Sequence, residues 1–266
     1  MNQQWKVFVA VVLCALAQGG AGCGKQHRAV TVAGSTAFQP FAEKLAEELM
    51  SKRSDIAIAV QGGGSAVGIQ SAVSGAAQIG MADLVNLPPE AKELTSVVVA
   101  RDSIAIIVNP ANAVADLTTE QVRGIFNGTI RNWKDVGGNE APITVVSRES
   151  GSGTRTSFEQ IIGGITLTKD AIVQDSSGTI RETVANDANA LGYLTHGVVN
   201  QKVKALTVDG KACTTETIMA GEYKLVRPVF FLTKGAPAGA VKEFIDYVLS
   251  PEGQGIIKTN GLIPAK

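Results

Sequence analysis

The sequence predicts an α/β fold of two lobes, each a mainly parallel sheet flanked by helices, joined by a hinge of two crossings. Three observations predict it. Short β-branched runs alternate with amphipathic runs along the chain, as strands of a parallel sheet alternate with covering helices. Glycines cluster at strand-to-helix turns, with no internal repeat or low-complexity stretch. Two apolar runs, Ser103-Ile-Ala-Ile-Ile-Val108 and Arg227-Pro-Val-Phe-Phe-Leu-Thr233, read as passages from one lobe to the other and back.

Residues Met1–Gly22 stand outside this fold. Lys6 gives a short positive start, and the apolar run Val7–Ala17 of about 11 residues is too short to span a bilayer but suits the core of a signal peptide. Small residues then lead through Gly20-Ala-Gly to Cys23, a pattern similar to a lipobox, whose cysteine becomes the acylated first residue of a lipoprotein. Such motifs usually carry Leu where Gly20 stands, so ordinary cleavage near the same point is the alternative. Residues 23–29 then form a tether.

The first strand, Ala29–Ala33, enters the turn Val32-Ala-Gly-Ser-Thr36 and a helix with Phe38, Phe41, Leu45 and Leu49 on one face. Ile56–Val60 leads through Gln61-Gly-Gly-Gly-Ser65 to a helix carrying Ile69, Ala72 and Val73. Gln78-Ile-Gly-Met-Ala-Asp83 is an apolar strand ending on a carboxylate. Pro88-Pro-Glu opens a short helix, Thr95–Ala100 reads as a buried strand, and Ser103–Val108 crosses to the second lobe before the turn Asn109-Pro-Ala-Asn112. That lobe holds the helix Thr118–Phe126 and the strand Ile143–Ser147. A turn from Arg148 to Thr154 follows, then a helix burying Phe158, Ile161 and Ile162. A helix near Thr179–Ala190 and the strand Leu191–Thr195 complete it. The last helix, Ala240–Leu249 and onward past Pro251, packs on the first lobe. The boundaries are therefore 30–107 with 228–266 for lobe one and 108–227 for lobe two.

The chain has 24 Lys and Arg against 24 Asp and Glu and no basic run, so nucleic acid is not an expected partner. An anion would have to be recognised by a local site. Cys14 leaves with the signal and Cys23 is capped by lipid, so Cys213 is alone and no disulfide framework exists.

The turn Arg148-Glu-Ser-Gly-Ser-Gly-Thr154 is where such a site is expected. A strand turning through Gly151 and Gly153 into a helix leaves unpaired backbone N–H groups converging at the helix start. Two hydroxyls, Ser152 and Thr154, and the Arg148 guanidinium make the turn a cradle for a tetrahedral oxyanion. Helix capping alone would account for one such turn. It does not predict three, at Ser35-Thr36, at Ser65 and at Arg148–Thr154, beside one acidic acceptor, Asp83.

Together these residues resemble the substrate-binding proteins of high-affinity phosphate ABC transporters, from about Val30 to Pro264. The matching pieces include Gly34-Ser-Thr36, Gly62-Gly-Gly-Ser65, Ile79-Gly-Met-Ala-Asp83, Asp102–Asn109, Leu117–Phe126, Asn132–Gly138, Arg148–Thr154 and Arg227–Gly235. The resemblance implies a type II periplasmic-binding-protein fold and an exported, membrane-anchored monomer that delivers inorganic phosphate to a membrane permease, with no cofactor or metal. It also implies that Thr36, the backbone at Ala37, Ser35, Ser65, Arg148, Ser152, Gly153 and Thr154 donate to phosphate, and that Asp83 accepts the proton that phosphate keeps and sulfate lacks. Many long-chain members carry Asp two residues after the arginine; here that position is Ser150, and Glu149 is the adjacent candidate to steady Arg148. Arg155 is a second candidate anion contact, expected rather as a surface residue at the helix start.

Enzyme motifs fail residue by residue. The second neighbours of Ser65 are Gly63 and Val67, and those of Ser152 are Ser150 and Thr154, so neither forms a Gly-x-Ser-x-Gly elbow. Gly62-Gly-Gly-Ser-Ala-Val67 lacks the last glycine of a dinucleotide fingerprint, and no Walker lysine follows a Gly-rich turn. His27 and His196 have no acidic neighbours at metal-ligand spacing. Trp133 and Tyr193 read as packing residues. The alternatives that remain are another oxyanion (sulfate, molybdate, a phosphonate), a phosphate-sensing lipoprotein, and, last, a phosphatase-like enzyme.

Overall fold

The computed structural model describes residues 28–265; the signal segment, Cys14, Cys23 and His27 lie outside them. The first strands and helices are β1 (Arg28–Gly34), α1 (Gln39–Lys52), β2 (Ile56–Gln61), α2 (Ser65–Ser74) and β3 (Ile79–Asp83), followed by the long β4 (Leu94–Val108). Then come β5 (Asp116–Leu117), α3 (Thr119–Phe126), β6 (Thr144–Arg148), α4 (Gly153–Ile162), β7 (Ile172–Gln174), α5 (Ser177–Asn186) and β8 (Ala190–Thr195). The chain ends through β9 (Lys204–Ala205), β10 (Thr207–Val208), α6 (Thr215–Met219), β11 (Val226–Lys234), α7 (Gly239–Leu249), α8 (Pro251–Thr259) and β12 (Ile263–Pro264).

One hydrogen-bonded path, β2-β1-β3-β11-β4-β8-β6-β7, runs through the whole molecule. Its two ends are parallel blocks, β2-β1-β3 and β8-β6-β7. The strands between them are antiparallel: β11 against both β3 and β4, and β4 against β8. The parallel character expected of the sheets therefore holds in the outer strands of each lobe, while the hinge is made of antiparallel pairs. β4 is a single strand of 15 residues, so the two runs separated by Arg101 and Asp102 in the sequence form one element. The pair Arg101-Asp102 breaks the apolar pattern but not the ladder, because β11 pairs opposite both residues.

Among the described residues the buried apolar side chains form three clusters, the two larger lying on either side of the hinge. Val30, Phe38, Phe41, Leu45, Val99, Ala100, Phe231 and Phe244 belong to one. Ile104–Val108, Phe126, Trp133, Phe158, Tyr193 and Leu194 belong to the other. Within β4 the change of core comes between Ala100 and Ile104, and the boundary at 107/108 expected from the sequence falls inside the second run.

Helix faces follow their apolar spacing. Phe41, Leu45 and Leu49 of α1 are buried, and Phe38 sits at its N-cap. In α2, Ile69 and Ala72 are buried but Val73 is exposed, one residue round from the packed stripe. In α4, Phe158 and Ile162 are buried and Ile161 is half-buried. Helix α5 starts at Ser177, two residues earlier than its apolar pattern suggests, because Ser176 forms a capping box with Thr179. The final helical run divides at Ser250: its hydroxyl accepts from Gly253 N–H and Pro251 opens α8.

Candidate functional site

Four strand-to-helix turns converge between the lobes. The turn after β1 places Ser35, Thr36 and Ala37 at the start of α1. Ser35 Oγ accepts from Phe38 N–H at 3.1 Å, which closes the turn leading into α1 and leaves the serine's own proton to give. Ser152 has the same double role on α4, accepting from Arg155 N–H at 3.2 Å. Among the described residues, no protein group outside the helices accepts from the backbone N–H of Thr36, Ala37, Gly153 or Thr154. Gly153 and Thr154 are first-turn donors of α4, aligned with the positive end of its dipole, and Thr36 and Ala37 lie in the turn just before α1.

Arg148 ends β6 and is 1% exposed despite its charge. Glu149 holds it as a fork: Nε and Nη2 donate to the two carboxylate oxygens, each at 2.8 Å. Glu149, the adjacent carboxylate, is thus the group that steadies the guanidinium. The guanidinium also reaches Ser177 Oγ at 3.4 Å and the Asp175 carbonyl at 3.3 Å, both at the start of α5. Across the cleft, Nη2 donates to Thr36 Oγ1 at 3.1 Å. The Tyr193 hydroxyl braces the strand beneath, 2.9 Å from Ser147 Oγ and accepting from Arg148 N–H at 3.3 Å. Burial pushes that phenol up to about 12, so it stays neutral. Arg155 is half-buried; it pairs with Glu159 and donates to the Arg148 carbonyl, a role within α4 and its turn.

Asp83 closes β3 and is 1% exposed. Its Oδ1 accepts from Ser65 Oγ at 2.6 Å and its Oδ2 from Thr154 Oγ1 at 3.3 Å. The first bond lies within one lobe and the second joins the two. Ser157 Oγ donates to the Asp83 carbonyl at 3.2 Å and Ala66 N–H to the Gly151 carbonyl at 3.1 Å, also between lobes. Close approach requires glycine at two places here. Gly64 has φ +89°, and a Cβ on it would lie 2.9 Å from the Gly151 carbonyl oxygen; Gly153 faces Asp83 and Ser65 as tightly.

The structure brings all nine predicted site residues to this cleft. It adds three that the sequence did not single out. Arg227 is buried and makes a 2.5 Å ion pair with Asp83 Oδ2. Asp102 accepts from Arg227 at 2.7 Å. Ser177 contacts Arg148. The Ser176-Ser177-Gly178-Thr179 turn has the same hydroxyl-and-glycine composition as the other turns, a signal available in the sequence. Arg227 and Asp102 had no such signal, for neither belongs to a hydroxyl-and-glycine turn and each lies inside a strand.

The fold and site define a two-lobed binding protein with an anion cradle at its hinge, of the kind that closes around its ligand. The chain belongs to the PBP superfamily, whose domain matches residues 20–252, and within it to the family of the PstS phosphate-binding proteins. It is 34% identical to the phosphate-binding protein PstS of Bacillus subtilis over 275 aligned positions, covering 97% of this chain and 92% of the relative. Among solved structures, one from Clostridium perfringens, described as a phosphate ABC transporter substrate-binding protein with bound phosphate, is 40% identical with a TM-score of 0.86. That alignment covers 90% of this chain and all of the other. An ABC-type phosphate transport receptor from Vibrio cholerae is 36% identical with a TM-score of 0.74, over 88% of this chain and 99% of that one. Among the described residues, no helix is long and apolar enough to cross a membrane.

Proposed function

We propose that this chain binds inorganic phosphate between its two lobes outside the cytoplasmic membrane and delivers it to the permease of a phosphate ABC transporter. In this reading it is a monomeric lipoprotein anchored through Cys23, and it catalyses no reaction. Thr36, Ser35, Arg148 and Ser152, with the backbone N–H groups of Ala37 and Gly153, donate to the phosphate oxygens, and Ser65 and Thr154 join them by turning their hydroxyl protons from Asp83 to the anion. The two lobes, whose cores meet along β4 between Ala100 and Ile104, close on the ligand because it has partners on both and favours the closed form by that difference.

The observation that carries the reading is Asp83, a buried carboxylate set among donors. A site made only of donors would take any oxyanion of the right size. A carboxylate accepts from the proton of phosphate and meets fully ionised sulfate with repulsion alone. Sites built around a substrate hydroxyl reject analogues lacking it by ~10⁴–10⁵. Calorimetric titration of the purified chain with phosphate and with sulfate tests the reading: tight phosphate binding without sulfate binding supports it, and equal binding of both removes it.

A further inference from the structure

Arg227 stands near the start of β11, where the chain passes back between the lobes. Its Nη2 makes the ion pair with Asp83 Oδ2 from β3, and donates to Asp102 Oδ2 from β4 at 2.7 Å and to Thr154 Oγ1 from α4 at 3.1 Å. Nε adds a second contact to Asp102 at 3.2 Å. Asp102 is held from its other oxygen by the Thr195 hydroxyl. One guanidinium therefore ties together the first lobe, the hinge and the second lobe. Its Nη1 is buried and has no hydrogen-bond partner among the described residues. A buried guanidinium with unmet donors is a poor device for stabilising a fold, since apolar packing often does as well or better.

Charge gives it a different task. Asp83 alone would place a full negative charge where an anion must arrive, and in a desolvated cleft the repulsion is strong. With Arg227 in contact that charge is offset in part, since the guanidinium is shared with Asp102, while the carboxylate oxygens remain acceptors.

We propose that Arg227 is a positioning residue that sets the specificity of the site: it offsets the charge of Asp83 and, by also holding Thr154, offers that carboxylate to the anion when the lobes are closed. The proposal rests on the reading of Asp83 as acceptor of the phosphate proton. The other charged or titratable groups around the pair are Asp102 on β4, His196 in the turn after β8, Cys213 beside Ser103, and the Arg148–Glu149 fork on the facing lobe. Burial raises the Asp102 carboxyl against the pull of Arg227, and burial lowers the His196 imidazole. Neither group hydrogen-bonds Asp83.

Titration calorimetry with inorganic phosphate near pH 8, in two buffers of different ionisation enthalpy, reads affinity and proton uptake together. Wild-type protein is expected to bind with little proton uptake. Arg227→Gln is expected to bind about 30-fold or more weakly and to take up close to one proton per phosphate, because a proton must then replace the guanidinium charge. Arg227→Lys keeps the charge without the fork; it should return proton uptake to the wild-type level while affinity stays reduced. In an Asp83→Asn background, Arg227→Gln should cost less than about threefold. Circular dichroism and melting of each variant separate loss of fold from loss of site, and the Lys variant carries the test if the Gln variant does not fold. Unchanged proton uptake in Arg227→Gln, or in the Lys variant an uptake as large as that expected of Gln, overturns the proposal. So does an affinity loss that persists undiminished without Asp83. If Asp83→Asn alone leaves phosphate affinity and sulfate exclusion intact, the reading of Asp83 is what has failed, and the proposal falls with it.

Discussion

A Cβ placed on Gly153 would lie 2.7 Å from the Asp83 carbonyl oxygen and 2.8 Å from Asp83 Oδ1, and closer still to Ser65 Oγ. These are backbone and buried atoms with no room to shift, so only glycine lets the second lobe bring its helix start against the first. Its φ is not in the left-handed region, so the requirement is one of space rather than backbone conformation.

Gly153→Ala is therefore expected to hinder closure and leave each lobe folded. Phosphate affinity should fall by about 10–100-fold, of order 1.4–3 kcal/mol, as for other overpacked contacts. The melting temperature without ligand should change little, while the upward shift produced by saturating phosphate should shrink. Thermal melts with and without phosphate measure both, and a wild-type shift in the variant would mean that binding does not need this approach.

Arg148→Ala should weaken phosphate binding by ~2–5 kcal/mol, because it deletes a buried, fork-shaped charge. Thr36→Ala removes one hydrogen bond beside remaining backbone donors and should cost ~1–2 kcal/mol. Glu149→Ala should fall between the wild type and Arg148→Ala, since Arg148 keeps its contacts to Ser177 and Asp175. Calorimetry on the three variants gives the order, and equal or reversed losses would mean that Arg148 serves the fold rather than the anion.

The turns were legible because their chemistry is local. Strand, glycine, hydroxyl and helix follow one another within a few residues at Ser35, Ser65 and Ser152, and the periodicity of α1 and α4 marks where each helix begins. Arg227 and Asp102 were not legible as a pair. They are far apart in the sequence and meet only because β11 and β4 pair antiparallel with these two residues opposite each other. The direction of Glu149 was hidden for a related reason, since an adjacent carboxylate can turn to either side of its strand. The continuity of β4 was hidden by its own polar pair, of which Asp102 finds its partners on a distant strand and in Thr195.

Stability should decline in the alkaline range. Burial pushes the Tyr193 phenol from 10.0 up to about 12 and the Cys213 thiol from 9.0 up to about 11. Both are neutral in the folded protein at pH values where the unfolded chain has already lost these protons. Their contribution is fully present below the unfolded values and is lost as pH rises through the folded ones, between roughly pH 9 and 12, by of order 1–3 kcal/mol for Tyr193. Denaturant unfolding across that range should show a steeper fall for wild type than for Tyr193→Phe. Parallel curves would mean that the hydroxyl is not held neutral by the fold.

Cys23→Ala should release the protein from membranes into the soluble exported fraction, because two acyl chains give stable attachment where one is marginal. Detergent partitioning measures it. Wild-type protein found wholly in the aqueous phase would leave plain export in place of the lipid anchor.

The most direct measurement is the anion selectivity of the purified chain with and without the Asp83 carboxylate. Wild-type protein is expected to bind phosphate at micromolar concentration or below, about −8 kcal/mol or more favourable, with no sulfate binding at the same concentrations. Asp83→Asn should lose part of the phosphate affinity and narrow the preference over sulfate, because the repulsion is gone and an amide can donate. Arsenate, similar in shape and protonation, should compete with phosphate in both proteins. Wild-type protein that binds sulfate as tightly as phosphate, or binds neither, would contradict the assignment of Asp83 as the group that recognises the phosphate proton.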